Sequence, residues 1–305
     1  MPSGGEVNAS RDGAVLIGVD WGTTNVRVIR IGEGGIGLAS RTDPRGGGGL
    51  GPGDFPRVLA DVGAGLIDDR LPILVCGMAG ARGRWQEVAY LPEPTGIVDL
   101  AKGLVSLDGR PDVRIVPGLK ALVDGRMADV LRGEETQVMG LDLGDGDHRI
   151  VAPGTHSKWI EARQGIILGH RTFMTGELFA AVRKGTILGA DMGEAGTDAE
   201  AFVAGVTRAL DDPALTAALF SVRVEALADR LKPEAAADFL SGLLIGAEVA
   251  AHVEDPRTPV TLVGTSTLND RYSLALRIAG FSDVRAADGE TATARGLWRI
   301  HEASL

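Results

Sequence analysis

Asp20-Trp21-Gly22-Thr23-Thr24-Asn25-Val26-Arg27 closes one apolar run, Ala14 to Asp20 (AVLIGVD), and opens another, Val26 to Ile31 (VRVIRI), in which apolar and charged residues alternate. An apolar β-type run, a tight Gly-Thr turn and an alternating run predict a hairpin. Gly22 lets the backbone turn. Thr23, Thr24 and Asn25 bring hydroxyl, amide and backbone N–H donors of the kind that suit phosphate oxygens. Asp20 stands at the end of a buried strand, where a carboxylate is costly unless paired. Its oxygens can hold Mg²⁺ directly or through water. The plainer alternative is an ordinary hairpin with polar turn residues.

The same grammar returns near the middle of the chain. Ile150 to Ala152 runs into Pro153-Gly154-Thr155-His156-Ser157-Lys158, and Trp159 to Ala162 and Gly165 to Leu168 follow as paired strands. Strand, polar Gly/Thr turn, strand thus occurs near the start of each half, and the spacing is too long for a solenoid repeat. Two related domains are expected, 13–145 and 146–305, with the last helix a candidate to pack back on the first. Around the hairpins, further strands are expected near 35–40, 71–76, 113–116, 260–263 and 283–286. Helices are expected over 55–70, 176–188, 198–210, 213–231, 239–253, 270–279 and 290–301. Arg132 to Leu141 reads as a loop entering a helix with acids in its first turn.

Composition narrows the class. The chain has 305 residues, 31 Lys+Arg against 41 Asp+Glu, and a formal net charge of −10. That field repels nucleic acid and anionic membrane. No run of 18 apolar residues exists to span a bilayer, and the N-terminus shows no apolar signal region. Cys76 is the single cysteine, which excludes an intrachain disulfide and a cysteine-rich zinc site. A cytoplasmic protein is expected, with a homodimer left open. Glycine is in excess, 44 residues. Residues 1–12 are expected to be disordered and Gly46 to Gly53 (GGGGLGPG) a mobile surface loop. Other glycines sit beside Thr, Ser and Lys at the ends of apolar runs, where a backbone can approach a ligand.

The hairpin resembles the phosphate-1 motif D-x-G-T-T-x-x-R of the sugar-kinase/actin/heat-shock-protein ATPase superfamily. Pro153 to Trp159 stands where a phosphate-2 hairpin belongs, and Val263-Gly264-Thr265-Ser266 resembles the adenosine station. Four further stretches narrow the resemblance: Gly77-Met78-Ala79-Gly80-Ala81-Arg82 with Trp85, Arg132-Gly133-Glu134-Glu135-Thr136-Gln137, GTHSKW at 154–159 and Met174-Thr175-Gly176-Glu177-Leu178-Phe179. Together they resemble the 2-dehydro-3-deoxygalactonokinase family from about residue 15 to 300. The resemblance implies an α/β fold of two actin-like, ribonuclease-H-like domains with a cleft between them. It also implies ATP and Mg²⁺ as cofactors and phosphorylation of the 6-hydroxyl of 2-keto-3-deoxygalactonate in galactonate degradation. The rival readings are a phosphatase or polyphosphatase of the superfamily and a non-enzymatic ATP-binding sugar sensor.

Site residues follow from chemistry and resemblance together. The nucleotide and metal are expected at Asp20, Gly22, Thr23, Thr24, Asn25 and Arg27, at Gly154, Thr155, Ser157 and Lys158, and at Gly264 and Thr265. The sugar acid is expected at Gly77, Met78, Gly80, Arg82, Trp85, Thr175 and Glu177. Arg82 and Arg84 offer forks for a carboxylate, and Trp85 offers an apolar wall. Lys158 is the other candidate for the carboxylate. Thr175 is also the expected N-cap of its helix. Phosphoryl transfer needs the attacking hydroxyl oriented and its proton accepted. Alignment with related kinases makes Glu135 the base and Glu134 the runner-up; the alternative is that both acids merely complement a helix dipole.

Overall fold

The structure is a computed structural model and describes residues 13–305 apart from 69, 191, 194–197 and 213. Residues 1–12, expected to be disordered, lie outside the described residues. The chain divides into two compact units. The first holds the residues up to Gly146 together with Ile160–His170 and Ala287–Leu305; the second holds Asp147–Trp159 and Arg171–Ala286. The division differs from a simple cut at 145/146 in two segments, 160–170 and the C-terminal 287–305, which both group with the first unit.

In the first unit β1 (Ala14–Trp21), β2 (Val26–Gly32) and β3 (Gly37–Asp43) are followed by α1 (Phe55–Gly63) and β4 (Ile73–Gly77). Then come β5 (Leu91–Pro92), α2 (Ile97–Lys102), β6 (Val105–Leu107), β7 (Arg110–Ile115), β8 (Leu119–Val123), β9 (Arg126–Leu131) and α3 (Glu134–Met139). One sheet has the order β3-β2-β1-β4-β7-β6 and a small one the order β5-β8-β9. β1 pairs antiparallel with β2, Asp20 opposite Arg27, and parallel with β4, Asp20 beside Cys76. β1 is apolar from Ala14 to Val19, and Leu16 to Val19 are buried because both faces of the strand are covered there. Ile17, Val19 and Trp21 pack with Phe55, Val58 and Leu59 of α1. On β1, Gly18 leaves room for Ile31 and for Leu297 of the C-terminal helix.

In the second unit and its continuation β10 (Asp147–Ala152), β11 (Ser157–Arg163) and β12 (Ile166–Phe173) precede α4 (Thr175–Gly185), α5 (Ala199–Asp211), α6 (Leu215–Leu227) and α7 (Pro233–Ala250). The chain ends with β13 (Val260–Gly264), α8 (Ser266–Ile278), β14 (Val284–Asp288) and α9 (Gly289–Glu302). The sheet order is β12-β11-β10-β13-β14. The two larger sheets each begin with three consecutive strands and continue through crossovers. The expected 213–231 helix begins at Leu215, residue 213 lying outside the described residues. The 239–253 helix starts earlier, at Pro233, because a proline at the first helical position is preorganised for it.

Two expectations are corrected. The Gly46–Gly49 segment packs main chain to main chain on the β1–β2 turn: Gly46, Gly47 and Gly48 donate to Thr24 O, Gly22 O and Thr23 O at 3.0, 2.9 and 2.9 Å. Glycine here permits close approach, and the segment is ordered by those bonds. The helix expected over 55–70 ends at Gly63, where Leu66 and Ile67 turn back to bond to Gly63 O.

Candidate active site

The turn at 22–25 is exposed, and Asp20 stands half-buried at its root. Burial is the main cause that pushes the Asp20 carboxyl up; Arg27 opposes this, and the charges of Glu134 and Glu290 reinforce it. Cys76 Sγ lies 3.8 Å from Asp20 Oδ1, and its own thiol is held well above its ordinary range by burial and by Asp20, so it is no nucleophile. Arg27 Nε donates to Thr42 Oγ1 at 3.0 Å and lies 3.6 Å from Glu290 Oε2. Asp20, Glu134 and Glu290 thus share one region of negative potential, tempered by one guanidinium.

Gly77 carries the next loop past this region. Its φ is +83°, and a Cβ there would lie 2.4 Å from Trp21 O. Met78 is half-buried and Gly80 buried. Two residues of this loop expected at the sugar acid have the following surroundings. The Arg82 side chain is 90% exposed and lies 3.4 Å from Glu87, so nothing preorganises it for a carboxylate. Trp85 packs against the core, stacked on Phe55 at 5.9 Å and edge-on to Trp21 at 5.7 Å; its apolar surface is used in folding. Arg84 is spent on Leu50 O at 2.8 Å.

Arg132 is the residue that the sequence reading missed. Its Nη2 donates to Val88 O at 2.6 Å, and its guanidinium carbon sits 4.2 Å from the centre of the Tyr90 ring. A Cβ at Gly80 would lie 2.6 Å from Nη1. Nε and Nη1 are buried with no acceptor among the described residues, an expensive state for a charged group.

Gly133, at φ +114° and 3.4 Å from Gly77 Cα by its absent Cβ, starts α3. The two acids after it separate sharply. Glu135 is fully buried; its Oε2 accepts from Gly133 N at 2.6 Å and its Oε1 from Thr136 Oγ1 at 3.0 Å. Burial first, then the Glu134 charge, pushes its pKa up to about 7. Glu134 is half-buried and its Oε2 accepts from Arg132 N at 3.1 Å. Successive helical residues point about 100° apart, and here it is Glu134 that reaches solvent. The carboxyl of Glu135, the expected base, is enclosed by its own turn. α3 is fixed by α9, where a Cβ at Gly296 would lie 1.8 Å from Thr136 O and one at Gly140 1.8 Å from Ala292 O.

In the second unit the 153–156 turn is clasped to the start of α4. Glu177 N donates to Thr155 O at 3.0 Å, His156 bonds to Glu177, and a Cβ at Gly176 would lie 2.5 Å from Gly154 O. Thr155 is exposed and Gly154 half-buried. Ser157 and Lys158, expected on phosphate, are both buried. Ser157 Oγ bonds Tyr272 Oη at 2.7 Å, and Lys158 Nζ donates to His156 O at 3.0 Å. Thr155 stays on the exposed turn before β11, whereas Ser157 and Lys158 open the strand, whose first four residues are covered on both faces. Thr175 is the first residue of α4, not its N-cap, and its hydroxyl bonds Glu248. Gly264 ends β13 beside Pro153, 3.5 Å from a Cβ at 264, and exposed Thr265 caps α8. Asn269, unforeseen, is buried, donates to Gly264 O at 3.2 Å and leaves Oδ1 without a partner among the described residues.

The profile of the 2-keto-3-deoxy-galactonokinase family matches residues 20–300. The chain belongs to that family. Its curated relatives include the 2-dehydro-3-deoxygalactonokinase of Escherichia coli (strain K12), 35% identical over 95% of this chain and 98% of that protein. The "probable 2-dehydro-3-deoxygalactonokinase" of Rhizobium meliloti (strain 1021) is 41% identical over 92% of this chain and 94% of that protein. The crystal structure of a "putative 2-dehydro-3-deoxygalactonokinase protein" from Sinorhizobium meliloti superposes with a TM-score of 0.83 at 37% identity, over 94% of this chain and 98% of that one. The activator of the 2-hydroxyisocaproyl-CoA dehydratase from Clostridium difficile, at 15% identity and a TM-score of 0.50 over 94% of this chain and 95% of that one, shares the fold alone. The fold is the α/β actin-like ATPase fold of the sugar kinases, and a member of the 2-keto-3-deoxy-galactonokinase family is a carbohydrate kinase. No helix among the described residues is long and apolar enough to cross a membrane.

Proposed function

We propose that this chain transfers the γ-phosphoryl group of ATP to the 6-hydroxyl of 2-dehydro-3-deoxygalactonate in galactonate catabolism; its curated relatives are named as kinases of that sugar acid. The observation that carries the reading to this chain's own residues is the meeting of three strand-end features in the first unit: the exposed 22–25 turn above Asp20, the Gly77–Gly80 loop against Trp21, and Gly133-Glu134 against Gly77. Donors for phosphate, a carboxylate for the acceptor hydroxyl and a guanidinium for the acid end of the substrate then lie on adjoining segments.

Thr23, Thr24 and Asn25 would hold phosphate oxygens through main-chain N–H and hydroxyl groups. In the second unit Gly154 and Thr155 would do the same, with Gly264 and Thr265 turned to the adenosine. Glu134 would accept the hydrogen bond of the 6-hydroxyl and orient it; in a loose transition state the proton leaves late, so orientation is the larger contribution. Glu135 would act through Glu134 by holding the Gly133 turn. Arg132 would take the carboxylate of the ketoacid, which gives its two buried N–H groups the acceptor they lack.

Mg²⁺ fits one mode of binding here. No three His, Cys, Asp or Glu side chains among the described residues form a metal cage. A cation held by nucleotide phosphates, waters and a single carboxylate suits Asp20, whose neighbours Glu134 and Glu290 press it toward protonation. When bound, such an ion supplies charge neutralisation on the transferred phosphoryl group.

The test is a coupled kinase assay over a panel of 2-keto-3-deoxy sugar acids. The reading expects ATP turnover that depends on the galactonate-derived ketoacid. Turnover of phosphate esters or polyphosphate without a sugar acid would overturn it.

A further inference from the structure

We propose that Gly46-Gly47-Gly48 is a positioning strap that aims the phosphate-binding turn, an inference that rests on the phosphate reading of residues 22–25. The strap donates three main-chain hydrogen bonds to three consecutive carbonyls: Gly47 N to Gly22 O at 2.9 Å, Gly48 N to Thr23 O at 2.9 Å and Gly46 N to Thr24 O at 3.0 Å. In a trans peptide the C=O and the N–H of the following residue point in opposite directions. With the carbonyls of 22, 23 and 24 all turned to the strap, the N–H groups of Thr23, Thr24 and Asn25 are turned together to the other face. Three successive amides presented on one side of a turn form an anion-binding concavity.

The strap must be glycine for steric reasons that differ along its length. A Cβ at Gly46 would lie 2.3 Å from both Thr23 O and Thr24 C, and 2.5 Å from Asn25 N. At Gly48 it would lie 2.8 Å from Thr23 O, and at Gly47 2.7 Å from Met78 Cβ. All of these contacts are with main chain or with a Cβ, which cannot swing aside. At Gly49 a Cβ would meet nothing within 4 Å. Gly47 also sets the strap against Met78, so one segment braces both the phosphate turn and the loop that follows β4.

The contrast between neighbouring glycines gives the experiment. Gly46→Ala, the gentler Gly48→Ala, and Gly49→Ala are compared with wild type by calorimetric ATP titration, by KM for ATP and for the ketoacid, and by thermal unfolding. Gly46→Ala is expected to weaken ATP binding at least 10-fold with ketoacid KM unchanged, Gly48→Ala less so, and Gly49→Ala not at all. Hydrogen exchange on the wild-type protein reads the same geometry without a substitution. The Gly46, Gly47 and Gly48 amides are expected to be protected before ATP is added, and those of Thr23, Thr24 and Asn25 to become protected on adding it. Free exchange at 46–48 without nucleotide, wild-type ATP affinity in a folded Gly46→Ala or Gly48→Ala protein, or equal loss of ATP and ketoacid affinity would each overturn the strap. Failure of the wild-type protein to bind ATP would instead overturn the phosphate reading itself, and the strap with it.

Discussion

The indole N–H of Trp159 donates to Glu248 Oε1 at 2.6 Å. Tyr272 Oη and Thr175 Oγ1 donate to the other oxygen of the same carboxylate, and Ser157 reaches it through Tyr272. One buried acid on α7 thereby ties β11, the start of α4 and α8 together. The clasp at residues 153–156 stands on that tie.

Glu248→Ala is expected to cost on the order of 3–5 kcal/mol, because two buried donors, Trp159 and Tyr272, and half-buried Thr175 lose their acceptor at once. Glu248→Gln keeps the shape and one acceptor oxygen and is expected to cost less than half of that. Denaturant midpoints for the two variants measure the difference; equal, small losses would mean that the network relaxes around the cavity.

Glu134→Gln is expected to lower kcat by about 10²–10⁴-fold while ATP binding persists. Glu135→Gln should retain much more activity, since that carboxyl is sealed inside the turn. Steady-state kcat for both, with calorimetric nucleotide affinity, separates them. A crippled Glu135→Gln beside a vigorous Glu134→Gln would restore the assignment that the sequence alone favours.

Glu135 also makes stability depend on pH. Its pKa is raised from 4.5 to about 7, so the folded state binds its proton more tightly than the unfolded chain does. That contribution is fully present below pH 4.5 and is lost as pH rises through 7. At roughly 1.4 kcal/mol per pH unit it amounts to about 3 kcal/mol. Glu135→Gln is therefore expected to match wild type in stability near pH 4.5 and to exceed it above pH 7. Thermal unfolding at the two pH values checks the sign; a stability gap independent of pH would show that the carboxyl titrates alike in both states.

Arg132→Ala is expected to raise the ketoacid KM, with loss of one charge-assisted bond worth roughly 1.5–3 kcal/mol or about 10- to 150-fold in kcat/KM. Arg82→Ala, on an exposed side chain, should change it less than twofold. ATP KM should hold in both. A larger effect at Arg82 would return the carboxylate to the 81–85 loop.

Asp20→Asn should keep the fold and lose most turnover, because the change removes the charge proposed to hold Mg²⁺ and alters little packing volume. Near-normal kcat in the folded variant would sink the assignment of the first hairpin.

Local rules made much of this legible. The AVLIGVD run and the VRVIRI alternation each carry their own period, so the first hairpin was readable from residues alone. So was its echo at 150–168. Short motifs likewise fall where the chain turns: 77–80, 132–137, 153–158 and 264–265 all lie at strand ends or helix starts. The sheet β5-β8-β9 went unread, although Asp124-Gly125 between its last two strands is a strong hairpin signal. Both residues take positive φ, 51° and 73°, as the tight turn requires.

What sequence could not give was the direction of each side chain. Ser157, Lys158 and Trp85 are the residue types a ligand site uses, yet Ser157 and Lys158 are buried against Tyr272 and His156 O, and half-buried Trp85 packs on Phe55. Glu134 and Glu135 are identical in chemistry, and only the packing of α3 on α9 decides which one meets solvent. The tetraglycine reads as slack chain, and its bonds to the 22–25 turn exist only once β1 and β2 have formed. Motif and period are properties of neighbours along the chain, so the sequence determined the fold and the loops. Burial and partner choice depend on residues brought together from far apart, so the tertiary structure alone decided which atoms of those loops remain available to a ligand.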